Sequence, residues 1–310
     1  MTKAADPIAV FDRALVARHR ERAAARFAQH DFLFAHVAEG LVDRLYDVRR
    51  GFPTVLDLGC HAGGLARRLA GEKGIETLVG VELSEGLARR ARDAGVAVAV
   101  GDEELLPVAE ESCDLVISNL ALHWVNDLPG ALIQVNRALK PDGLFLAAML
   151  GGETLAELRQ AMVEAEQDLI GGVSPRVGPQ SDLRDLASLL QRAGFALPVV
   201  DSDVVTVTYD TAFRLIADLR GMAQTATHRE RRPAIPPRAF WPEVARRYHE
   251  RHAGPDGRIP ATFQVMWLTG WAPHESQQKP LRPGTARHRL ADALGTTEET
   301  TGVKAAPRRG

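Results

Sequence analysis

The chain is poor in the features that most quickly narrow a protein's role. Two cysteines, Cys60 and Cys113, are all that its 310 residues contain. They lie too far apart for a redox or zinc pair motif, so a disulfide scaffold is excluded and a reducing, intracellular compartment is indicated. No apolar run reaches the roughly 18 residues needed to cross a bilayer, so no membrane span is expected. Charge is nearly balanced at -2, which removes the electrostatic case for nucleic acid. No H-x-D…H spacing is present to hold iron, and no metal site is expected. The N-terminal stretch is rich in arginine, but Asp6, Asp12, Glu21 and Asp31 argue against a mitochondrial presequence and no signal-peptide core is present. A cytoplasmic protein is the expectation.

What the chain does have is a 45% hydrophobic content, enough for a sizeable core, and one organising stretch, VLDLGCHAGGLARRLA, from Val55 to Ala70. A short β-branched run ends at Asp57, passes through Gly59, Gly63 and Gly64, and becomes a helical pattern with Leu65 and Leu69 on one face. Strand, tight turn and helix in that order bring backbone close to a ligand and present a helix N-terminus to an anion. A second buried-strand run, TLVGVEL, ends at Glu82, where a carboxylate either holds both hydroxyls of a ribose or caps the next helix. A dinucleotide fingerprint would need G-x-G-x-x-G, and His61 stands where its middle glycine would be.

The remaining pattern is an alternation of strands and helices. Two helices are expected first, from about Pro7 to Phe27 and then with Phe34, Val37, Leu41, Leu45 and Val48 on one face. Arg18 and Arg22 lie one turn apart on the first, as a solvated face or a clamp on an acidic ligand; folded over the sheet, these helices would cover its cleft. The third strand, Val96–Val100, runs into Asp102 and Glu103, and the fourth, Cys113–Ser118, into Asn119, His123 and Trp124. Ligands of open α/β sheets bind beyond the carboxyl ends of strands, so these residues face the site mouth. His123 has a side chain suited to proton transfer near neutrality and is the candidate catalytic residue; Trp124 and Arg220 are candidate substrate contacts. A helix to Leu139 stops at Lys140–Gly143 before a fifth strand, Leu144–Met149; one or two strands follow within Phe195–Tyr209. A helical insert at about 211–253 carries Arg214, Arg220, Arg229, Arg231, Arg232, Arg246 and Arg247, a solvated face or a substrate-facing basic patch. Ala261–Trp271 is the last strand, expected as an antiparallel edge. The domain expectation is a helical cap over 1–50, an α/β domain over 51–272 and a disordered tail over 273–310.

The order D-L-G-x-x-x-G followed by an acid after the second strand resembles the S-adenosylmethionine site of class I methyltransferases. In that family His61 departs from the usual glycine. The run NLALHWVNDLPGALIQVNRALKP and the opening VFDRALVARHRERAA resemble the malonyl-carrier-protein methyltransferases within it. GLFLAAMLGGETLAELRQ, GGVSPRV, LLQRAGFALPVVDSD, DLRGMAQT and DGRIPATFQVMWLTGWAPHESQQKP together resemble the family of a mitochondrial complex I assembly factor associated with hydroxylating an arginine of an iron–sulfur subunit. The resemblance covers about 11–280. It implies a Rossmann-like, doubly wound, mainly parallel sheet with an antiparallel last strand. It also implies S-adenosylmethionine as cofactor, held by Asp57, Gly59, His61, Gly63, Glu82, Leu83, Asp102, Glu103 and Asn119. Three readings stay open: an enzyme modifying an arginine of a complex I subunit, a methyltransferase acting on malonyl-acyl carrier protein, and a non-catalytic assembly partner.

Overall fold

The computed structural model describes residues 9–176, 183–232, 234–278, 291–292 and 295–297. Residues 1–274 form one compact unit and 275–310 a second. All elements below belong to the first, and the expected disordered tail falls for the most part outside the described residues.

Seven strands make one sheet: β1 (Thr54–Leu58), β2 (Thr77–Glu82), β3 (Ala97–Val100), β4 (Cys113–Asn119), β5 (Leu139–Leu150), β6 (Ala196–Tyr209) and β7 (Ile259–Trp271). Their order is β3-β2-β1-β4-β5-β7-β6. Pairs among β1 to β5 are parallel, while β7 runs antiparallel to both β5 and β6. The antiparallel strand is therefore last in sequence yet lies one place in from the edge, which the long ribbon β6 occupies. Every residue of β4 is buried, the mark of a central parallel strand covered on both faces. Residues Lys140–Gly143, expected as a turn, are instead an irregularity inside β5, where pairing jumps from Cys113 with Leu139 to Leu115 with Leu144.

The sheet order reverses between β1 and β4, so the crevice opens at their carboxyl ends. Helices α3 (Gly64–Leu69), α4 (Glu85–Asp93), α5 (Leu128–Ala138), α6 (Ala156–Ile170), α7 (Leu183–Arg192), α8 (Ala212–Gly221) and α9 (Phe240–His252) flank the sheet. Two more precede it. α1 (Arg13–Ala23) is capped by Asp12, whose carboxylate accepts from the Leu15 N–H, and α2 (Phe32–Tyr46) buries Leu33, Phe34, Val37, Leu41 and Leu45. No described helix is long and apolar enough to cross a membrane.

The turn after β1 needs glycine at one point for two reasons. Gly59 has φ +71°, and a Cβ there would lie 2.2 Å from the Cβ of Ala121. Gly59→Ala should therefore cost on the order of 2–3 kcal/mol, combining left-handed strain with overpacking. Urea unfolding checks this; a change smaller than that for a half-buried Gly64→Ala control, where a Cβ meets nothing within 4 Å, would show that the turn relaxes freely.

Candidate active site at the strand ends

The acids expected at the ends of β1, β2 and β3 converge, and all but Asp102 are fully buried. Asp57, Glu82 and Glu103 each have 0% exposure. Neither oxygen of Asp57 meets a side-chain donor. Burial pushes its carboxyl up to about 7, the charge of Glu82 adds to the shift, and the Ala66 N–H opposes it. Glu82 is fully engaged: Oε2 accepts from the His61 N–H at 3.0 Å, and Oε1 from the Ser84 N–H at 2.9 Å.

The other partner of Glu82 comes from the N-terminal helix. Arg20 of α1, 2% exposed, donates from Nη1 to Glu82 Oε1 at 3.1 Å and to Glu103 Oε1 at 2.6 Å. Two turns earlier, Arg13 pairs with Asp102 and Glu103, and its Nε lies 3.5 Å from Glu104. Burial opposes ionisation of Glu103, but Arg20 and Arg13 outweigh it and hold its carboxyl down to about 2. Glu82 shares one guanidinium, and there burial wins and raises it. Glu21 fastens the same helix to the start of α4, accepting from the Ser84 hydroxyl and the Gly86 N–H, both at 2.7 Å. Leu83, half-buried, packs against the cluster of Phe11, Val16 and Trp124.

His61 holds a left-handed conformation, φ +50°, where a glycine would be unstrained. Its ring is buried, stacks on Phe27 at 5.7 Å and meets Phe34 edge-on at 4.6 Å. Nε2 donates to the Asn119 carbonyl at 3.1 Å, so Nδ1 is left as an unpartnered lone pair. Burial first, and Arg20 second, lower its pKa to about 3, so the ring is neutral. The Asn119 amide donates to the Phe34 carbonyl and ties α2 over the turn. Under this cover lies a cavity of about 300 Å³ lined by Asp57, Cys60, His61, Gly64 and Asn119, with Arg67, Arg68 and Arg90 toward its mouth.

A larger cavity, about 470 Å³, sits on the far side of α1, beyond β4 and β5. Trp124 and Arg220 both line it, as does His123. Gln224 Oε1 accepts from Trp124 Nε1 at 3.0 Å, so it must also accept from His123 Nε2 at 2.9 Å, which leaves His123 Nδ1 bare. Burial lowers His123 to about 4, with the Gln224 hydrogen bond opposing the shift. The expected base is thus neutral at physiological pH but weak. Among the described residues, no group of three or more His, Cys, Asp and Glu is arranged to hold a metal ion.

The family model described as "Methyltransferase domain" matches residues 56–147. "Arginine-hydroxylase NDUFAF5, mitochondrial" of Danio rerio is 39% identical over 287 residues, covering 91% of this chain and 89% of that protein. The protein of the same name from Homo sapiens is 40% identical over 281 residues, covering 89% and 81%. The chain belongs to the NDUFAF5 family. "Malonyl-[acyl-carrier protein] O-methyltransferase" of Methylovorus sp. (strain MP688) is 31% identical over 275 residues, covering 85% of this chain and 90% of that one. Among solved structures, the YcgJ protein of Bacillus subtilis matches with TM-score 0.53 at 18% identity, over 77% of this chain and 99% of that chain. Phosphoethanolamine N-methyltransferase 2 of Haemonchus contortus, solved with S-adenosylhomocysteine, matches with TM-score 0.54 at 18% identity, over 84% and 60%. The NDUFAF5-family chain therefore has the fold of S-adenosylmethionine-dependent methyltransferases.

Its relatives' names place them in the mitochondrion, and this overturns the cytoplasmic expectation. That expectation rested on acidic residues near the N-terminus, of which Asp12 and Glu21 prove to be structural, a helix cap and a tie to α4, while Asp31 precedes α2 without capping it. They say nothing about an address.

For the cofactor, the donor set fits in kind and place. Asp57 brings unpaired carboxylate oxygens to the smaller cavity, and Glu82, Asp102 and Glu103 stand at the ends of the next two strands. The space between Glu82 and Glu103 is occupied by the guanidinium of Arg20. The arginines of α1 that meet the acids are Arg13 and Arg20, not Arg18 and Arg22. The signal in the sequence is the seven-residue spacing of 13 and 20, which puts both on the face carrying the buried Val16 and Ala23.

Two outcomes follow. Arg20→Met leaves two buried carboxylates without their shared cation, a loss of about 3–5 kcal/mol in the ligand-free protein. S-adenosylmethionine should then raise the melting temperature of this variant more than that of the parent; an equal or smaller rise would mean that Arg20 does not compete for the sugar site. For Asp57, the native carboxyl titrates near 7 against an ordinary 3.8, so the stability it contributes is complete below 3.8 and lost as pH rises to 7. Asp57→Asn should gain stability relative to the parent across that window, measured by urea unfolding at successive pH values; a constant difference would contradict the raised value.

Proposed function

We propose that this chain binds S-adenosylmethionine at the ends of β1 to β3 and modifies a protein side chain. The relatives' name supports an arginine as that side chain, and the family resemblance supports a subunit of complex I as its bearer. The observation that carries the reading is the ladder of acids, Asp57, Glu82 and the Asp102–Glu103 pair, at three successive strand ends of this family's fold. When bound, the cofactor supplies an electrophilic methyl group on a sulfonium. Asp57 would face its ammonium and Glu82 its ribose hydroxyls, with Asp102 and Glu103 on the adenine side. Gly59 and Gly63 let the backbone approach, and Phe27 and Phe34 exclude water above His61. The acceptor would enter the larger cavity, where Trp124 and Arg220 contact it. His123, held in one tautomer by Gln224, offers Nδ1 as a proton acceptor there.

A second reading, esterification of a malonyl group on acyl carrier protein, has one observation in its favour. Arg22, Arg176, Arg220, Arg231 and Arg232 line the larger cavity and no described carboxylate does, a setting that suits an acidic acceptor. Intact mass of candidate substrates co-expressed with the chain separates the two. A gain of one oxygen on an arginine-containing subunit, or of one methylene on that subunit, supports the first; one methylene on the malonylated carrier alone supports the second. No change in either, with the chain folded and bound to the cofactor, would sink both.

A further inference from the structure

The larger cavity has a floor and a rim of opposite character. Its floor is apolar, with Leu150, Leu158, Met162, Leu219 and Phe263. Its rim carries Arg22 from α1, Arg220 from α8 and Arg232 from the segment that follows, all three exposed. None of these three has a carboxylate within ion-pair distance among the described residues. By contrast, the deeper Arg176 is held by Glu166 at 2.8 Å, and Arg231 has Asp12 at 3.8 Å. The chain as a whole is slightly acidic, so a rim of unpaired cations drawn from three separate elements does not follow from composition. Several surface arginines elsewhere do find partners. Arg246 and Arg247 both bind Glu243, and Arg258 binds Asp210.

We propose that this rim is a docking surface for an acidic protein segment, whose carboxylates pair with Arg22, Arg220 and Arg232 while one side chain of the segment enters the cavity. The inference rests on the reading that the acceptor is protein-borne. It adds a requirement that reading lacked. A lone arginine entering the cavity would meet Arg22, Arg220 and Arg232, none of them neutralised by a described carboxylate, and a lining with no described carboxylate of its own. Flanking glutamates or aspartates supply the neutralisation that the cavity walls do not. The unpaired rim then sets which arginine is taken, by rejecting one on a basic or neutral segment through like-charge repulsion. A protein segment fits better than a polyanion such as RNA. The cations line one cavity of about 470 Å³ with an apolar floor, and not an extended stripe such as a phosphate backbone would follow.

The test is fluorescence anisotropy on the full chain with two labelled peptides, one having glutamates around a single arginine and the other having lysines in their place. The glutamate peptide should bind and weaken with rising salt, and the lysine peptide should not bind. The triple variant Arg22→Glu, Arg220→Glu, Arg232→Glu should lose about tenfold or more in affinity for the glutamate peptide. Arg214→Glu, on α8 but away from the cavity, should bind as the parent does. Unfolding midpoints of both variants check that the fold is intact. Equal affinity for the two peptides, or an unaltered triple variant, overturns the proposal. So does binding of anionic vesicles or single-stranded RNA in preference to the glutamate peptide. Cofactor titration of the same samples keeps the two inferences apart. Failure of the parent to bind S-adenosylmethionine, with charge-dependent peptide binding retained, removes the enzymatic reading and leaves the docking surface. Cofactor binding without peptide discrimination does the reverse.

Discussion

Arg20 is the residue on which the arrangement of the cleft depends. Three carboxylates stand at the ends of β2 and β3, and two of them have no contact with water. In so poor a solvent for ions, Glu82 and Glu103 can stay charged only if a cation shares the space. One guanidinium bridges both, and a second, from Arg13, completes the neutralisation of Glu103. The ribose hydroxyls of a nucleoside are neutral donors. They can replace the hydrogen bonds of Arg20 but not its charge. Exchange of one for the other therefore requires either water to reach the acids or Glu82 to take up a proton, and Glu82 is the acid whose carboxyl burial already raises.

The same helix lies between the strand-end acids and the larger cavity. Arg13 and Arg20 project toward the acids, while His19 and Arg22, from intervening turns, line the larger cavity. α1 is pinned on the acid side by Glu21 and on the cavity side by a hydrogen bond between Thr225 and His19 at 2.8 Å. A helix moves as a body, so withdrawing Arg20 from Glu82 also alters the wall the acceptor meets. Differential contact of one element with two ligands is the physical content of coupling between sites. Here that element is eleven residues long and is held chiefly by polar contacts, with Leu15, Val16 and Ala23 supplying its buried apolar face.

The sheet was legible because its signals are local. Val55–Leu58, Thr77–Glu82 and Cys113–Asn119 are apolar runs with an acid or amide at the carboxyl end, and each became a strand within a residue or two of its expected bounds. Gly59 was legible for the same reason, since a tight turn between strand and helix requires it. What failed to show was long-range. Nothing near Lys140–Gly143 says that a strand will run through it; pairing with Ala272 and Trp271, some 130 residues on, decides that. Likewise the place of β7 between β5 and β6 depends on the whole ribbon of β6 folding back. His61 read as an intruder at a glycine position, yet its ring is accommodated because Phe27 and Phe34, from the preceding helical segment, form its far wall. A periodicity argument finds the apolar face of α2 but not what it covers.

The two kinds of relative carry names for different chemistry on one fold, and the residues of the larger cavity bear on why both are possible. Methyl transfer to a guanidinium nitrogen first needs a proton removed from a group whose pKa is above about 12. The neutral imidazole of His123, lowered to about 4, is far too weak a base for that. Methyl transfer to a carboxylate needs no base, because the nucleophile is ionised at neutral pH and alignment suffices. On the proposed reading, methylation of an arginine in this cavity would need a stronger base than His123, whereas an acidic acceptor would need none. The strand-end acids are indifferent to this choice. On the proposed reading it falls to the other side of α1, where His123, Gln224 and the arginine rim would meet the acceptor.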